Sequence, residues 1–291
     1  MVTNPQRSTR IRDVTAIKKP IGELLCASGA LTEGDVRRVI EEQRRTGGLF
    51  GQTALRMGLI TEDALQRALA VQYGYPYVDE GQSTLAPTLA AAYRPFGEQA
   101  ETYRRLRTEL SLRWFSEDMK ALAICGVHRH AGCSTLVANL AVTFAQLGRR
   151  TLLIGADLRR PRLHQLFGLT QETGLAELLA GHSLIDKAVT SPHPFDRLYL
   201  LCSGVIPPNP HELLSKHTFH WLLEAARERF DAILIDAPPV LEYPDAQMVA
   251  ARAGACLIVT RRHVTRIADV LTAKSLLAPT GAALLGTVIN D

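Results

Sequence analysis

The chain has 291 residues, 46% of them hydrophobic, and a formal net charge of +4, which leaves room for one domain of ordinary size and a smaller module. It contains no run of about 18 apolar residues that would span a membrane, and residues 1–19 are too polar for a secretion signal. No nucleic-acid-binding motif accompanies the mild charge, and the five cysteines lack metal-site or disulfide spacing. We therefore expect a cytoplasmic protein with reduced thiols and no nucleic-acid partner.

An internal repeat comes first along the chain, where residues 21–33 are echoed by residues 50–62. Each copy has a glycine where a helix should end and a threonine where the next helix needs an N-cap. These residues are Gly29 and Thr32 in the first copy and Gly58 and Thr61 in the second. The repeat predicts two helix pairs that form a small all-helical domain over 18–79, followed by a polar linker over 80–95.

Residues 95–110 predict a charged amphipathic helix. Glu101, Arg104 and Arg107 recur on it at spacings of three, so their side chains lie near one face. From the residues alone, this is a solvated face with ion pairs inside the helix.

A glycine-containing loop then joins an apolar strand at 121–125 to a helix-forming run at 134–147. Such a loop turns backbone N–H groups and the positive end of the helix toward an anion. Gly132 and the Ser134-Thr135 pair have the spacing of a phosphate-binding loop, but Cys133 stands where that loop carries a lysine. We predict a phosphate-binding loop of reduced positive charge.

Two later apolar runs end on a carboxylate, one at Asp157 and the other at Asp236. Further apolar runs at 255–259 and 283–290 alternate with helical segments. This alternation is typical of an α/β fold with a doubly wound, mostly parallel sheet. Such a sheet places carboxylates beside a ligand at the ends of its strands.

Four segments carry a resemblance to a known family. They are Ser134-Thr-Leu-Val-Ala-Asn-Leu-Ala141, Leu152-Leu-Ile-Gly-Ala-Asp-Leu-Arg-Arg-Pro161, Gly204-Val-Ile-Pro-Pro-Asn-Pro-His-Glu-Leu-Leu214 and Asp236-Ala-Pro-Pro239. On these motifs, residues 96–291 resemble the ATPase domain of the bacterial tyrosine kinases of capsule and exopolysaccharide synthesis, which are P-loop NTPases related to MinD. The whole chain is similar to the chain-length determinant tyrosine kinases of the EpsG type.

The resemblance implies a role for each matching residue. ATP or ADP would be bound by Gly132, Cys133, Ser134, Thr135 and Asn290, with Asn290 at the adenine. The ligands of Mg²⁺ would be Ser134, Asp157 and Asp236, and the two carboxylates would also be catalytic.

The resemblance also implies partners. Glu101, Arg104 and Arg107 match the family's subunit-contact motif, which implies a homo-oligomer. The family acts with a membrane chain-length determinant protein of a polysaccharide export system. Through that partner the chain would lie at the inner face of the cell membrane.

Two departures weaken the prediction of kinase activity: the family's lysine is Cys133, and the first aspartate of its Asp-Ala-Asp strand end is Gly155. Phosphoryl transfer depends on positioning and on neutralising phosphate charge. Groups of this kind are each worth about 10²–10³ in rate. We therefore expect binding of ATP and Mg²⁺ to be weak or lost, and whether the chain is an enzyme stays open. The family's C-terminal tyrosine cluster also has no counterpart before Asp291. A thiol at a helix N-terminus, as at Cys133, is expected to have a lowered pKa.

The helical repeat is similar to the N-terminal module of type II secretion and pilus ATPases, some of which bind cyclic di-GMP. In binding members an arginine precedes the apolar-Gly pair of each repeat, but here these positions hold Pro20 and Leu49. This difference favours protein docking or a spacer role over dinucleotide binding.

Three functions remain compatible with the sequence. The first is a tyrosine autokinase controlling exopolysaccharide chain length and export through a degenerate ATP site. The second is a pseudokinase scaffold that acts by nucleotide-independent assembly or by sensing cyclic di-GMP. The third is a MinD-like positioning ATPase, although neither end of the chain carries an amphipathic membrane helix.

Overall fold

The computed structural model describes residues 19–78, 83–170 and 173–291. The chain forms two compact units, residues 1–75 and 76–291. Residues 79–82, which include the start of the predicted linker, lie outside the described residues. No helix in the described part is long and apolar enough to cross a membrane.

The described residues of the first unit, 19–75, contain four helices: α1 Ile21–Ala27, α2 Glu33–Thr46, α3 Phe50–Arg56 and α4 Glu62–Tyr73. The predicted threonine caps are present, since Thr32 accepts a hydrogen bond from the Asp35 N–H and Thr61 accepts one from the Ala64 N–H. Gly29 and Gly58 follow α1 and α3 with φ of +73° and +67°, a conformation that favours glycine. The small all-helical domain is therefore confirmed.

The second unit is built on a seven-stranded sheet of order β3-β4-β2-β5-β1-β6-β7. The strands are β1 Ala121–Gly126, β2 Thr151–Gly155, β3 Val189–Thr190, β4 Leu198–Leu201, β5 Ala232–Ala237, β6 Ala255–Arg261 and β7 Ala283–Asn290. All neighbours are parallel except β3, which runs antiparallel to β4. β1 and β5 are buried along their whole length, as expected of strands covered on both faces.

Ten helices of this unit lie among the described residues: α5 Ala90–Tyr93, α6 Glu98–Arg113, α7 Cys133–Gln146, α8 Leu163–Leu166, α9 Leu175–Ala180, α10 Ile185–Ala188, α11 Pro210–Ser215, α12 His217–Arg229, α13 Asp245–Ala253 and α14 Ile267–Leu277. They bury two apolar clusters, one on each face of the sheet. Phe144 of α7 belongs to one cluster and Phe219 of α12 to the other. The predicted doubly wound α/β fold is confirmed.

The segment just before α6 packs on this second unit. The Ala91 N–H donates to Asn139 Oδ1 at 2.9 Å, and the Gln146 amide donates to the Ala91 carbonyl at 2.9 Å. Residues from Leu85 to Ala92 therefore contribute to the core beside α7. The bounds of the linker predicted at 80–95 stay a prediction.

Candidate functional site

The candidate phosphate loop lies between β1 and α7, at the carboxyl edge of the sheet. Its backbone turns at Gly132, with φ of +83°, and α7 begins at Cys133. A side chain at Gly132 would collide with the Asn290 amide, which approaches the loop from the end of β7 and donates to the Ala131 carbonyl at 3.0 Å. Asn290 therefore holds the loop backbone. The adenine contact assigned to Asn290 stays a prediction.

Side chains from three other elements also hold the loop. His128 Nε2 lies 3.0 Å from Asp269 Oδ2 at the start of α14. The Glu242 carboxylate accepts the Arg129 N–H at 2.9 Å and the Arg129 guanidinium at 2.7 and 2.9 Å. Arg261 donates to the His130 carbonyl at 3.5 Å. The protein's own contacts thus order the loop.

Asp236 is the most perturbed carboxylate of the site. It lies in β5, is 2% exposed and lies beside Ser134 and Cys133. Burial raises its pKa to about 7, and the charge of the neighbouring Asp157 adds to the rise, although the polar groups of Ser134 and Cys133 oppose it. Asp236 therefore exchanges its proton near neutral pH.

Asp157 follows β2, two residues beyond the end of the strand. Its carboxylate accepts the backbone N–H groups of Arg159 and Arg160 at 3.1 and 2.9 Å. Burial raises its pKa as well, while those hydrogen bonds and the nearby arginines act in the opposite direction. Asp157 lies close enough to Asp236 for its charge to raise the pKa of Asp236.

Cys133 corrects one expectation from the sequence. Its thiol points toward the preceding strand and donates to the Ile124 carbonyl at 3.2 Å. Burial and the charge of Asp236 raise the pKa of this thiol well above its usual value. The predicted lowered pKa was therefore wrong, because the carboxylate and the lost solvation outweigh the helix N-terminus.

Gly155, the position of the family's missing aspartate, has no room for a side chain. A Cβ there would lie 2.8 Å from Ser203 Oγ and 3.2 Å from the Ser203 nitrogen. Ser203 itself donates to the Gly155 carbonyl at 2.9 Å. Restoring a carboxylate at position 155 therefore requires Ser203 to move.

A polar network beside the loop was missed by the sequence analysis. Arg159 donates from Nε to Asp245 at 2.6 Å, and its guanidinium lies 4.5 Å above the Tyr243 ring. The Tyr243 hydroxyl in turn accepts from Arg129 at 3.1 Å. His211 Nδ1 lies 3.3 Å from the other Asp245 oxygen. In the sequence, this network could have been suspected from Asp245, because it is an acid at the start of an apolar helix.

The phosphate loop and the residues after β2 line a cleft of about 680 Å³, whose lining does not include Asp236, Asp245 or Asn290. Its lining contains Gly132, Cys133, Ser134, Thr135 and Asp157 from the predicted site, together with Arg129, Arg159, Arg160, Arg162 and Arg261. Of the side chains that line it in the described ranges, Asp157 is the single carboxylate. The cleft therefore favours an anionic ligand.

The predicted ligand set fits a nucleotide with magnesium in part. Mg²⁺ is usually held by one or two carboxylates together with substrate phosphates and water. Ser134 and Asp157 both lie near Asp236. Within the described part of the chain, no three His, Cys, Asp or Glu side chains form a metal cage. Ser134, Asp157 and Asp236 are the residues that would hold Mg²⁺ together with phosphate oxygens.

The three residues of the predicted subunit contact differ in their surroundings. Arg107 of α6 is 9% exposed and donates to the Thr143 carbonyl at 2.7 Å. Arg104 pairs with Glu101 at 2.8 Å, and its side chain is 15% exposed. The Glu101 side chain is 47% exposed. The subunit contact stays a prediction. Glu101 has the most exposed side chain of the three, so it is the main candidate for contact with another subunit.

Comparison with known proteins places this chain and its fold in a family. The chain is 36% identical over 211 residues to the tyrosine-protein kinase YwqD of Bacillus subtilis, covering 72% of this chain and 87% of that protein. The structure of the kinase domain of the Escherichia coli tyrosine kinase ETK matches with a TM-score of 0.68 and 31% identity, over 72% of this chain and 82% of that one.

A more distant match has a TM-score of 0.51 and 26% identity. It is the cell division ATPase MinD of Pyrococcus furiosus, over 59% of this chain and 72% of that one. No family model matches the chain. The identity and coverage of the YwqD match nevertheless show that the chain belongs to the bacterial tyrosine-protein kinase family.

Proposed function

We propose that this chain is a cytoplasmic, tyrosine-autokinase-like P-loop protein that controls exopolysaccharide chain length and export through a degenerate ATP site. The observation that carries the degenerate site is Asp236, a buried carboxylate whose pKa lies at about 7 beside Cys133. An ammonium group at position 133 would favour the ionised carboxylate and neutralise phosphate charge. A neutral thiol does neither.

Nucleotide affinity in this proposal comes mainly from the loop backbone. Gly132 and the first residues of α7 line the cleft, where backbone N–H groups of a helix start can bind phosphate, and Ser134 and Thr135 add hydroxyl groups. Magnesium, when bound with ATP, would neutralise phosphate charge between Ser134, Asp157 and Asp236. The two aspartates would orient the ion, and Asp236 would have to lose its proton first.

Titration calorimetry with ADP and ATP, with and without Mg²⁺, tests nucleotide binding. We expect weak binding that Ser134→Ala weakens by at least about tenfold, since a hydrogen bond to a charged group is worth about 1.5–3 kcal/mol. Thr108→Ala removes a hydroxyl that bonds only within α6 and serves as the control. Absence of ATP and ADP binding in the folded wild-type protein would contradict a nucleotide site of any strength.

Assembly is the second part of the proposal. The family resemblance implies a homo-oligomer and a membrane chain-length determinant partner at the inner face of the cell membrane. Glu101→Arg should reduce the mass seen by light scattering if Glu101 contacts a neighbouring subunit. Glu109→Arg makes the same change on α6 at a similarly exposed side chain. Equal masses for wild type and both variants would remove Glu101 from the contact.

A non-catalytic scaffold is the second candidate function. It is favoured by the phosphate loop, which His128, Arg129, His130 and Asn290 tie to neighbouring elements through the protein's own contacts. An assembly whose mass is the same with and without ATP would support the scaffold. Cyclic di-GMP sensing has less support, because Leu49 and Pro20 offer no guanidinium group to the dinucleotide. A MinD-like positioning ATPase would instead require ATP turnover.

A further inference from the structure

Exposed apolar side chains are concentrated in the last part of the chain. Among the described residues, the exposed large apolar side chains number 17, and six of them lie between residues 264 and 289. These six are Val264, Ile267, Leu271, Leu276, Leu284 and Ile289. An apolar surface of this density on a folded protein marks a contact site for another molecule.

The outer edge of the sheet lies in the same region. β7 is the last strand in the sheet order, so one of its two edges has no strand beside it among the described residues. It has eight residues, none of them charged and none a proline, and from Gly286 to Asn290 it pairs with β6 in unbroken register. The strand at the opposite end of the sheet, β3, has only two residues. Proteins protect sheet edges by short strands, charges and prolines, so β3 is protected and β7 is open to strand pairing.

The two exposed apolar side chains of β7 lie on one face of the sheet. Leu284 pairs in register with Cys256 of β6, and Ile289 pairs with Thr260. Positions 256 and 260 point to the same face of β6, where Cys256 packs in the cluster that contains Phe219. On β7, however, Leu284 and Ile289 are 37% and 65% exposed. The sheet face is therefore apolar up to its edge but only partly covered there.

α14 extends this surface beside the edge. It buries Ala273 and Leu277, while Ile267 and Leu271 are 80% and 58% exposed. Asp269 contacts the phosphate loop, which follows β1 on the inner side of β6. Ile267 and Leu271 lie on the flank of α14 opposite Asp269, so they face the outer side, where β7 lies.

We propose that β7 and α14 form a contact surface for a second copy of this chain, in which two β7 edges pair antiparallel about a two-fold axis. The outward N–H and C=O groups of each strand would bond to the other strand and join the two sheets into one. The antiparallel arrangement places the start of one strand beside the end of the other. Leu284 of each copy would then lie near Ile289 of the other copy, on the same face. This self-complementarity favours a second copy over an unrelated partner.

The surface is separate from the subunit contact predicted at Glu101. α6 packs on the α7 side of the sheet through Leu110, whereas α14 packs on the other side through Ala273 and Leu277. The inference therefore goes beyond the proposed function and depends neither on nucleotide nor on Glu101. A chain with both contacts would link its copies through two different surfaces.

Sedimentation velocity of the full chain, without nucleotide and over a series of protein concentrations, tests the β7 contact. Glu101→Arg removes the α6 contact, and we expect this variant still to form a dimer. Adding Leu284→Lys/Ile289→Lys should raise the dimer dissociation constant at least about tenfold, because apolar contacts are lost and like charges then face each other across the axis. A Glu101→Arg protein that is monomeric at every concentration would overturn the β7 contact and leave the α6 contact intact.

Leu147→Lys/Leu184→Lys is the matched control. These two side chains are 50% and 70% exposed and lie outside β7 and α14, so the dissociation constant should stay within about twofold. Thermal melting checks that both double variants are folded. Equal weakening by the two double variants would reduce the effect to net charge and overturn the proposal.

Cross-linking gives a second readout of the same contact. Thr287 lies near the middle of β7 and is exposed, so Thr287→Cys should place two thiols close together across the axis. We expect a short bifunctional maleimide to give a covalent dimer of this variant. Thr190→Cys, exposed on β3 at the other end of the sheet, and the wild type with its native cysteines should not give one. Equal yields from all three proteins, or no dimer from Thr287→Cys, would contradict the β7 contact.

Discussion

The phosphate loop and the acidic strand ends beside it differ in how fully they are partnered. Side chains from α14, β7 and the segment after β5 hold the loop at residues 128–131. Asp236, in contrast, is buried beside Ser134 and Cys133, and no ion pair among the described residues involves it. The loop keeps its geometry, while the carboxylate is destabilised by its surroundings.

This difference shows that the shape and the charge of the cleft depend on different residues. The loop shape depends on Gly132, on Asn290 and on the Arg129–Glu242 pair. In the function that we propose, the charge balance depends on positions 133 and 155, where this chain has a cysteine and a glycine. A chain of this kind can bind phosphates and still lack the electrostatic groups that accelerate their transfer.

The largest effect is expected from Asp236→Asn. The pKa of Asp236 rises from 3.8 to about 7 on folding, so the folded state holds a proton that the unfolded state has released between these values. The wild-type free energy of unfolding should therefore fall as pH rises from about 4 to about 7, by up to about 4 kcal/mol. The asparagine variant should lack this fall and be more stable at pH 8. Urea unfolding at pH 5, 6, 7 and 8 measures the difference.

Asp245→Asn is the matched control for this prediction. Asp245 is 1% exposed but is paired with Arg159, so its neutralisation leaves that guanidinium without its partner. We expect Asp245→Asn to destabilise the protein by about 1–3 kcal/mol at pH 8. At pH 8, replacing aspartate by asparagine should thus raise the free energy of unfolding at position 236 and lower it at position 245. Destabilisation of both variants at pH 8 would contradict the contrast between the two carboxylates.

The next effect concerns the loop backbone. Gly132 and Gly148 have nearly the same φ, +83° and +86°, but a Cβ at Gly148 meets no atom within 4 Å. Gly148→Ala should therefore cost about 1 kcal/mol from backbone strain alone. Gly132→Ala should cost about 2–3 kcal/mol, since the Asn290 side chain must also move. Thermal unfolding compares the two, and equal costs would show that Asn290 does not brace the loop.

The smallest effect is expected from Glu242→Gln. The amide can still accept the Arg129 N–H, but it loses the charge that pairs with the guanidinium. Because the pair is partly exposed, we expect a loss of about 1 kcal/mol that diminishes at high salt. As a control, Glu224→Gln weakens a more exposed ion pair with Arg227 within α12. It should lower the free energy of unfolding by less than Glu242→Gln does. A Glu242→Gln variant as stable as wild type at low salt would contradict a contribution of this pair to loop stability.

Much of this arrangement was predictable from local patterns. The strand at Ala283–Asn290 was predicted with its observed bounds, and the helix after the loop was displaced by one residue. Strand β2 ends at Gly155 rather than at Asp157, because the chain turns where Asp157 accepts N–H groups from the following residues. Apolar periodicity locates buried elements well, while their ends depend on side-chain hydrogen bonds.

The remaining features depend on contacts between distant parts of the chain. Arg129 contacts Glu242 and Tyr243, which lie more than 110 residues away from it in the chain. No local sequence pattern therefore indicates these contacts. The inward turn of Arg107 depends on the Thr143 carbonyl of α7. The direction of the Cys133 pKa shift depends first on burial of the thiol and then on the charge of Asp236, since the helix N-terminus alone predicts the opposite sign.

Turnover is the most direct test of the central claim that loop geometry persists while catalytic charge is lost. Wild-type protein and Cys133→Lys are incubated with ATP and Mg²⁺, and phosphate release and phosphotyrosine are measured. We expect neither product above background from wild type, and more ATP hydrolysis from Cys133→Lys, which restores the ammonium group beside an intact loop. Magnesium-dependent turnover by wild type that Asp236→Ala abolishes would contradict the claim.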